Sequence, residues 1–196
     1  IVRRQPFGGW KNSAIGAGTK AGGPSYLYGL GEWEADGIPE NEGVDLRNRA
    51  LVEAAKVARS LDSNKEFVMA SLRSSQQALD SEFAVGHDPS DLRVERNVLR
   101  YCALPVLIRL SEGEDASHVL MLAAAGRAVG SQVSVSMSQE PDSALLQYLR
   151  VQHIDYEVES DQSFRDRLPA WAAGAGLDAS SPHMSLMVPW TVTLCA

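Results

Sequence analysis

The sequence predicts an α/β fold: a Rossmann-like, doubly wound parallel sheet, preceded by a glycine-rich segment and two helices. Two observations carry this. Apolar runs of strand length alternate with amphipathic runs of helix length from Leu104 to Ala173. Strand and helix alternating at that spacing build parallel sheets through right-handed crossovers, not antiparallel meanders.

The elements follow in order. Residues 1–31 hold eight of the 16 glycines, together with Pro6 and Pro24. That density means tight turns and close backbone approach, not helix. Within it, Tyr26–Leu30 reads as a short strand. An acidic run from Glu32 to Glu42, broken by Gly37 and Pro39, marks a boundary. The predicted divisions are residues 1–31, a linker at 32–43, and a domain at 44–196. Leu46, Ala50, Leu51, Ala54, Val57, Ala58 and Leu61 fall on one helical face. Ser63 or Asn64 offers the N-cap of a second helix, with Glu66 in its first turn. Val68, Leu72, Leu79 and Phe83 form its stripe, and Gly86-His87-Asp88-Pro89 ends it.

The alternating part then reads as strand Leu104–Leu110, helix Ala116–Val129 stopped by Gly130, and strand Gln132–Met137. Helix Ser143–Val151, strand Ile154–Val158 and helix Ser163–Ala173 follow, the last kinked or shortened by Pro169. Met184–Cys195 is apolar and β-prone, and reads as a final strand interrupted by Pro189.

Composition narrows the function classes. A hydrophobic fraction of 44% supports a packed core. A net charge of −7 repels phosphate backbones and argues against a nucleic-acid partner. Cys102 and Cys195 lie far apart with no CxxC, which fits a reducing cytoplasm. The longest apolar stretch, Val119–Ala125, is too short to span a bilayer. The opening Ile1-Val2-Arg3-Arg4-Gln5 has no initiator Met and no apolar leader, as expected of a cropped or processed chain.

The informative motif is Gln5-Pro6-Phe7-Gly8-Gly9-Trp10-Lys11-Asn12-Ser13-Ala14-Ile15-Gly16, followed by Lys20-Ala21-Gly22-Gly23-Pro24-Ser25-Tyr26-Leu27. It resembles the PFGG-x-x-x-S signature near the C-terminus of aldehyde dehydrogenases. The K-x-G-G-P-x-Y-L run resembles the Δ1-pyrroline-5-carboxylate dehydrogenase branch, which oxidises glutamate semialdehyde to glutamate with NAD. Further on, Leu92-Arg93-Val94-Glu95-Arg96-Asn97-Val98-Leu99-Arg100-Tyr101 and Leu104-Pro105-Val106 resemble the C-terminal domain of long bifunctional proline-utilisation flavoenzymes. Those fuse a proline dehydrogenase to the semialdehyde dehydrogenase. Ala14 departs from the family, which commonly has glycine after the motif serine. The departure puts the local turn geometry in doubt.

The resemblance implies a division of labour. Phe7 would line the aldehyde pocket as a substrate-binding residue. The carboxylate-binding loop, the catalytic cysteine, the general-base glutamate and the main NAD-binding elements would lie upstream of Ile1. No catalytic, cofactor or metal residue is therefore assigned to this chain. NAD, and FAD if the parent is bifunctional, would belong to the parent. The C-terminal domain would be a non-catalytic lid or assembly domain packed on upstream dehydrogenase domains of the same chain. Expected localisation is cytoplasmic, with peripheral membrane association of the parent an option.

Other motifs carry less. Gly16-x-Gly18-x-x-Ala21 mimics a dinucleotide fingerprint, but no strand precedes it and Gly22-Gly23-Pro24 blocks the required helix. Cys102 reads as structural. His87, His118, His153 and His183 show no ligand spacing, so no metal is expected. Asp155, Glu157 and Glu159, alternating with Tyr156 and Val158, read as one solvated strand face. Arg93, Arg96 and Arg100 are expected to pair with nearby acids.

Two further readings belong to other classes. Residues 44–196 could form an autonomous nucleotide- or small-ligand-binding module, with its site at the carboxyl ends of the strands. Against that, the turn Ser111-Glu112-Gly113-Glu114-Asp115 is acidic where a pyrophosphate would bind. Residues 1–31 could instead pair with another copy, giving a homo-oligomer.

Overall fold

The computed structural model describes residue 32 and residues 40–61, 64–88 and 91–174. The predicted strands at Tyr26–Leu30 and Met184–Cys195 lie outside them, as do Phe7, Cys195 and His183. The described elements are helices α1 (Arg49–Ala58) and α2 (Lys65–Ala78), a π-helical turn Leu79–Phe83, strand β1 (Val106–Leu110), helix α3 (Ser117–Ala128), strand β2 (Val133–Met137), helix α4 (Ser143–Val151), strand β3 (Asp155–Val158) and helix α5 (Asp161–Gly174).

The three strands are parallel, in the order β1-β2-β3. The α/β class and the parallel, Rossmann-like sheet are as the alternation predicts. The sequential order corresponds to one wound half of a doubly wound sheet. Right-handed crossovers in that order put α3 and α4 on the same face. There Ile108, Leu110, Val133, Val135 and Met137 pack with Val119, Leu120, Ala123, Leu145 and Leu149 in one core. A further layer lies outside: α1 packs on α2, α3 and α4, and α2 packs on α3.

Local chemistry explains the boundaries. Asn48 caps α1, its Oδ1 accepting from the Ala50 N–H at 2.9 Å, while its Nδ2 donates to the Ala128 carbonyl at 3.2 Å. One side chain thus starts α1 and ties it to the end of α3. Asn64 occupies the N-cap of α2 but makes no cap bond. It is left-handed, at φ 59°, and its Nδ2 donates to Asp115 Oδ2 at 2.6 Å. Tertiary contact has replaced the expected local cap. Gln76 is buried on α2, its Oε1 accepting from the N–H groups of Arg47 and Asn48. Asn41, within the predicted linker, is 7% exposed and donates from Nδ2 to the Ala70 carbonyl.

α2 does not run unbroken to Gly86: its last turn widens into the π-helical turn. Such a turn shifts the phase of the helix face. Val68 and Leu72 are fully buried on the expected stripe. Phe83 instead meets Tyr101 edge-to-face, ring centroids 4.9 Å apart.

α3 stops at Gly130, whose φ of 82° suits glycine. Gly126 is needed for another reason: a Cβ there would lie 2.9 Å from Val133 Cγ2, where α3 crosses β2. α4 begins at Asp142, whose Oδ1 accepts from the Leu145 N–H at 2.7 Å. Pro169 does not shorten α5, which continues to Gly174. The proline is exposed, where water can serve the carbonyl its ring leaves without a donor.

Candidate functional site

In open parallel α/β sheets, ligands bind beyond the carboxyl ends of the strands. At that end of this sheet, three strands and the start of α5 bring together Arg109, Ser111, Ser136, Glu159, Asp161 and Arg167. Arg109 lies one residue before the end of β1, its side chain 13% exposed. Its Nη2 and Nε donate to Asp161 Oδ1 at 2.6 and 3.2 Å, and its Nη1 donates to Ser136 Oγ at 2.7 Å. A further bond runs from Nη2 to the Glu159 carbonyl, and the guanidinium lies 5.1 Å from the centre of the Phe164 ring.

The second half is built on Glu159, whose side chain is 8% exposed. Ser136 Oγ donates to Glu159 Oε1 at 2.7 Å, and the Arg167 guanidinium grips both of its carboxylate oxygens. Arg167 also pairs with Glu157 at 3.2 Å. The Arg167 hydrogen bond holds the Glu159 carboxyl below the usual glutamate range, against the opposing cost of burial. The Arg109 hydrogen bond acts likewise on Asp161, assisted by the Ser111 hydroxyl.

The turn after β1 is filled in the same way. Glu114 Oε2 accepts from the Ser111 N–H at 2.7 Å, and Asp115 Oδ1 accepts from the Ser117 N–H at 2.8 Å. These backbone donors, one just after β1 and one at the start of α3, are the kind an incoming phosphate uses. Carboxylates of the chain already hold them, and their charge opposes a second anion. The side chains of Arg109, Ser136, Glu159 and Asp161 are thus partnered from within, whereas Ser138 Oγ, just beyond β2, is buried with no hydrogen-bond partner.

Several sequence expectations change here. Glu159 does not lie on a solvated face. It keeps the same face as Glu157, but Arg167 of α5 covers that face at this corner, so Glu159 meets Ser136 and Arg167 instead of water. Asp155 is exposed, as expected. Arg93, Arg96 and Arg100 form no ion pair with a described residue. Cys102 is a half-buried free thiol. The Arg109 hub was not anticipated. Its signal was an arginine inside an otherwise apolar strand run, a residue that must find partners if it is buried.

Among the described residues, no group of three or more His, Cys, Asp or Glu side chains is placed to hold a metal ion. None of the described helices is long and apolar enough to cross a membrane. A shallow open groove between α1 and α4 is lined by Val57, Ala144, Tyr148 and Val151, with Glu53 and Lys56 at its rim. Lys56 and Glu53 pair with each other across 2.7 Å.

Fold and crevice together define a Rossmann-like α/β domain whose usual ligand position is occupied by its own side chains. Comparison with known proteins gives a more particular likeness. The chain is similar to the solved structure of proline utilization A (PutA) from Corynebacterium freiburgense, at 27% identity and a TM-score of 0.50. The match covers 82% of this chain and 17% of that one, so the chain corresponds to a small part of the protein it resembles. No family model matches the sequence, and no curated protein matches it.

Proposed function

We propose that this chain is the C-terminal part of the NAD-dependent L-glutamate γ-semialdehyde (Δ1-pyrroline-5-carboxylate) dehydrogenase region of a bifunctional proline-utilisation enzyme, and that its own role is architectural. The likeness to PutA over most of this chain carries the reading. The Pro6-Phe7-Gly8-Gly9 and Lys20-x-Gly22-Gly23-Pro24 motifs point the same way. The filled crevice agrees with a domain that keeps a nucleotide-binding topology without offering a nucleotide its phosphate donors.

In this reading the parent performs thiolate attack on the aldehyde, hydride transfer to NAD and thioester hydrolysis with groups upstream of this chain. Phe7 contributes to the wall of the aldehyde pocket. NAD, and FAD where the proline dehydrogenase is present, belong to the parent, which is cytoplasmic. Residues 44–196 pack on the upstream dehydrogenase domains as a lid or assembly element.

The purified chain, given glutamate semialdehyde and NAD, should form no NADH; turnover above background would sink the proposal. Titration calorimetry with NAD and NADP separates it from the autonomous-module reading. No saturable heat is expected, and saturable binding would favour the module.

A further inference from the structure

An exposed loop, here the arm, joins the π-helical turn to β1. At its base His87 and Leu99 exchange two backbone hydrogen bonds, each 2.8 Å long. The Asp88 carboxylate then accepts from the Asp91 N–H at 3.1 Å and from the Asn97 N–H at 3.2 Å, joining the two limbs. Within the tip, the Glu95 N–H donates to the Leu92 carbonyl at 3.2 Å. The described residues of the loop are therefore tied together by hydrogen bonds of their own.

What it displays is unusual for a surface loop. Val94 is 94% exposed, and Leu92 and Val98 are 41% and 43% exposed. Arg93, Arg96 and Arg100 are exposed and carry no ion pair with a described residue. A valine left wholly in water contributes nothing to the fold. Arginine beside exposed aliphatics, on residues already hydrogen-bonded to one another, is the composition of a binding surface.

Charge indicates the partner. Residues 91–100 hold three arginines against Asp91 and Glu95, a net of +1. Setting these aside from the chain's 18 basic and 25 acidic residues leaves 15 against 23, a net of −8. The arm is thus a basic, apolar exposed loop on an acidic body, and the body of another copy supplies the complementary field. Its densest exposed acidic run among the described residues is the turn after β1, with Glu112 and Glu114.

We propose that residues 91–100 dock on the acidic body of a second copy of this chain, with Leu92 and Val94 at the centre and Arg93, Arg96 and Arg100 facing the Glu112–Glu114 turn. Reciprocal docking of two arms gives a closed dimer. The inference goes beyond the proposed function and does not depend on it.

Sedimentation velocity on the full 196-residue chain tests it. At low salt a dimer with a Kd on the order of 10 µM is expected, as befits a small interface, weakening as salt screens the arginines. Val94→Asp and Arg96→Glu should each raise the Kd about tenfold or more. Both lie outside the core, so an unchanged urea midpoint shows that the variants fold. Arg96→Glu combined with Glu112→Arg should restore the affinity. A chain that stays monomeric at low salt up to high concentration overturns the proposal, and so does a dimer that neither arm variant weakens.

Discussion

Toward α3 and α4 the sheet presents Val106, Ile108, Leu110, Val133, Val135 and Met137; on its other face, strand alternation places Leu107, Arg109, Ser134, Ser136, Asp155 and Glu157. Parallel strands are usually apolar on both faces, because helices cover both. Here one face is closed by interdigitated aliphatics. The other meets α5 through Asp161, Phe164 and Arg167 at one corner. The first face draws its stability from area removed from water, which is non-directional and tolerant of small shifts. The second depends on a few charge-assisted hydrogen bonds, which are directional and sensitive to pH. The domain therefore has a packed half that sets whether it folds and a polar half that sets whether α5 is docked.

The strongest way to break that contrast is within the packed half. Leu149 is fully buried on α4. Leu149→Ala should cost about 3 kcal/mol in urea unfolding, through lost transfer energy and a residual cavity. An effect under about 1 kcal/mol would mean that this face is not tightly packed. Arg109→Met comes next, on the order of 2 kcal/mol, because it strips hydrogen bonds from Ser136 and from the Glu159 carbonyl. Its more telling readout is local. Amide exchange should quicken in α5 while α3 stays protected.

The polar half also carries an acid dependence whose sign is fixed. Glu159 and Asp161 both titrate below the ordinary carboxylate range when folded. Their contribution is complete above the unfolded carboxylate pKa values and is lost as pH falls through the folded ones. Glu159→Gln should therefore flatten the fall of the urea midpoint on the acid side, with little change in slope near neutrality. An identical acid limb in the variant would remove Glu159 from the account.

Smaller effects sharpen the comparison at the periphery. Asn48→Ala removes the cap of α1 and its tie to Ala128, and should cost about 1 kcal/mol. Lys56→Ala breaks an exposed pair with Glu53 and should cost about 0.3 kcal/mol or less, within the error of most denaturation curves.

Sequence alone determined the order and type of the alternating elements. Each of these strands and helices is encoded by a local period, and Gly130 and the Ser143 start of α4 mark their ends through nearest-neighbour chemistry. Only the tertiary structure decided which polar groups meet. Arg109 and Asp161 are far apart in the chain, and no local pattern couples them. The fate of Glu159 likewise depended on α5 covering its face of the sheet. Asn64 gave up a local cap for Asp115, and the arginines of residues 91–100 make no ion pair with a described residue. The physical reason is one of range: periodicity and capping act within a few residues, whereas burial and charge pairing depend on distances set only once the sheet has formed.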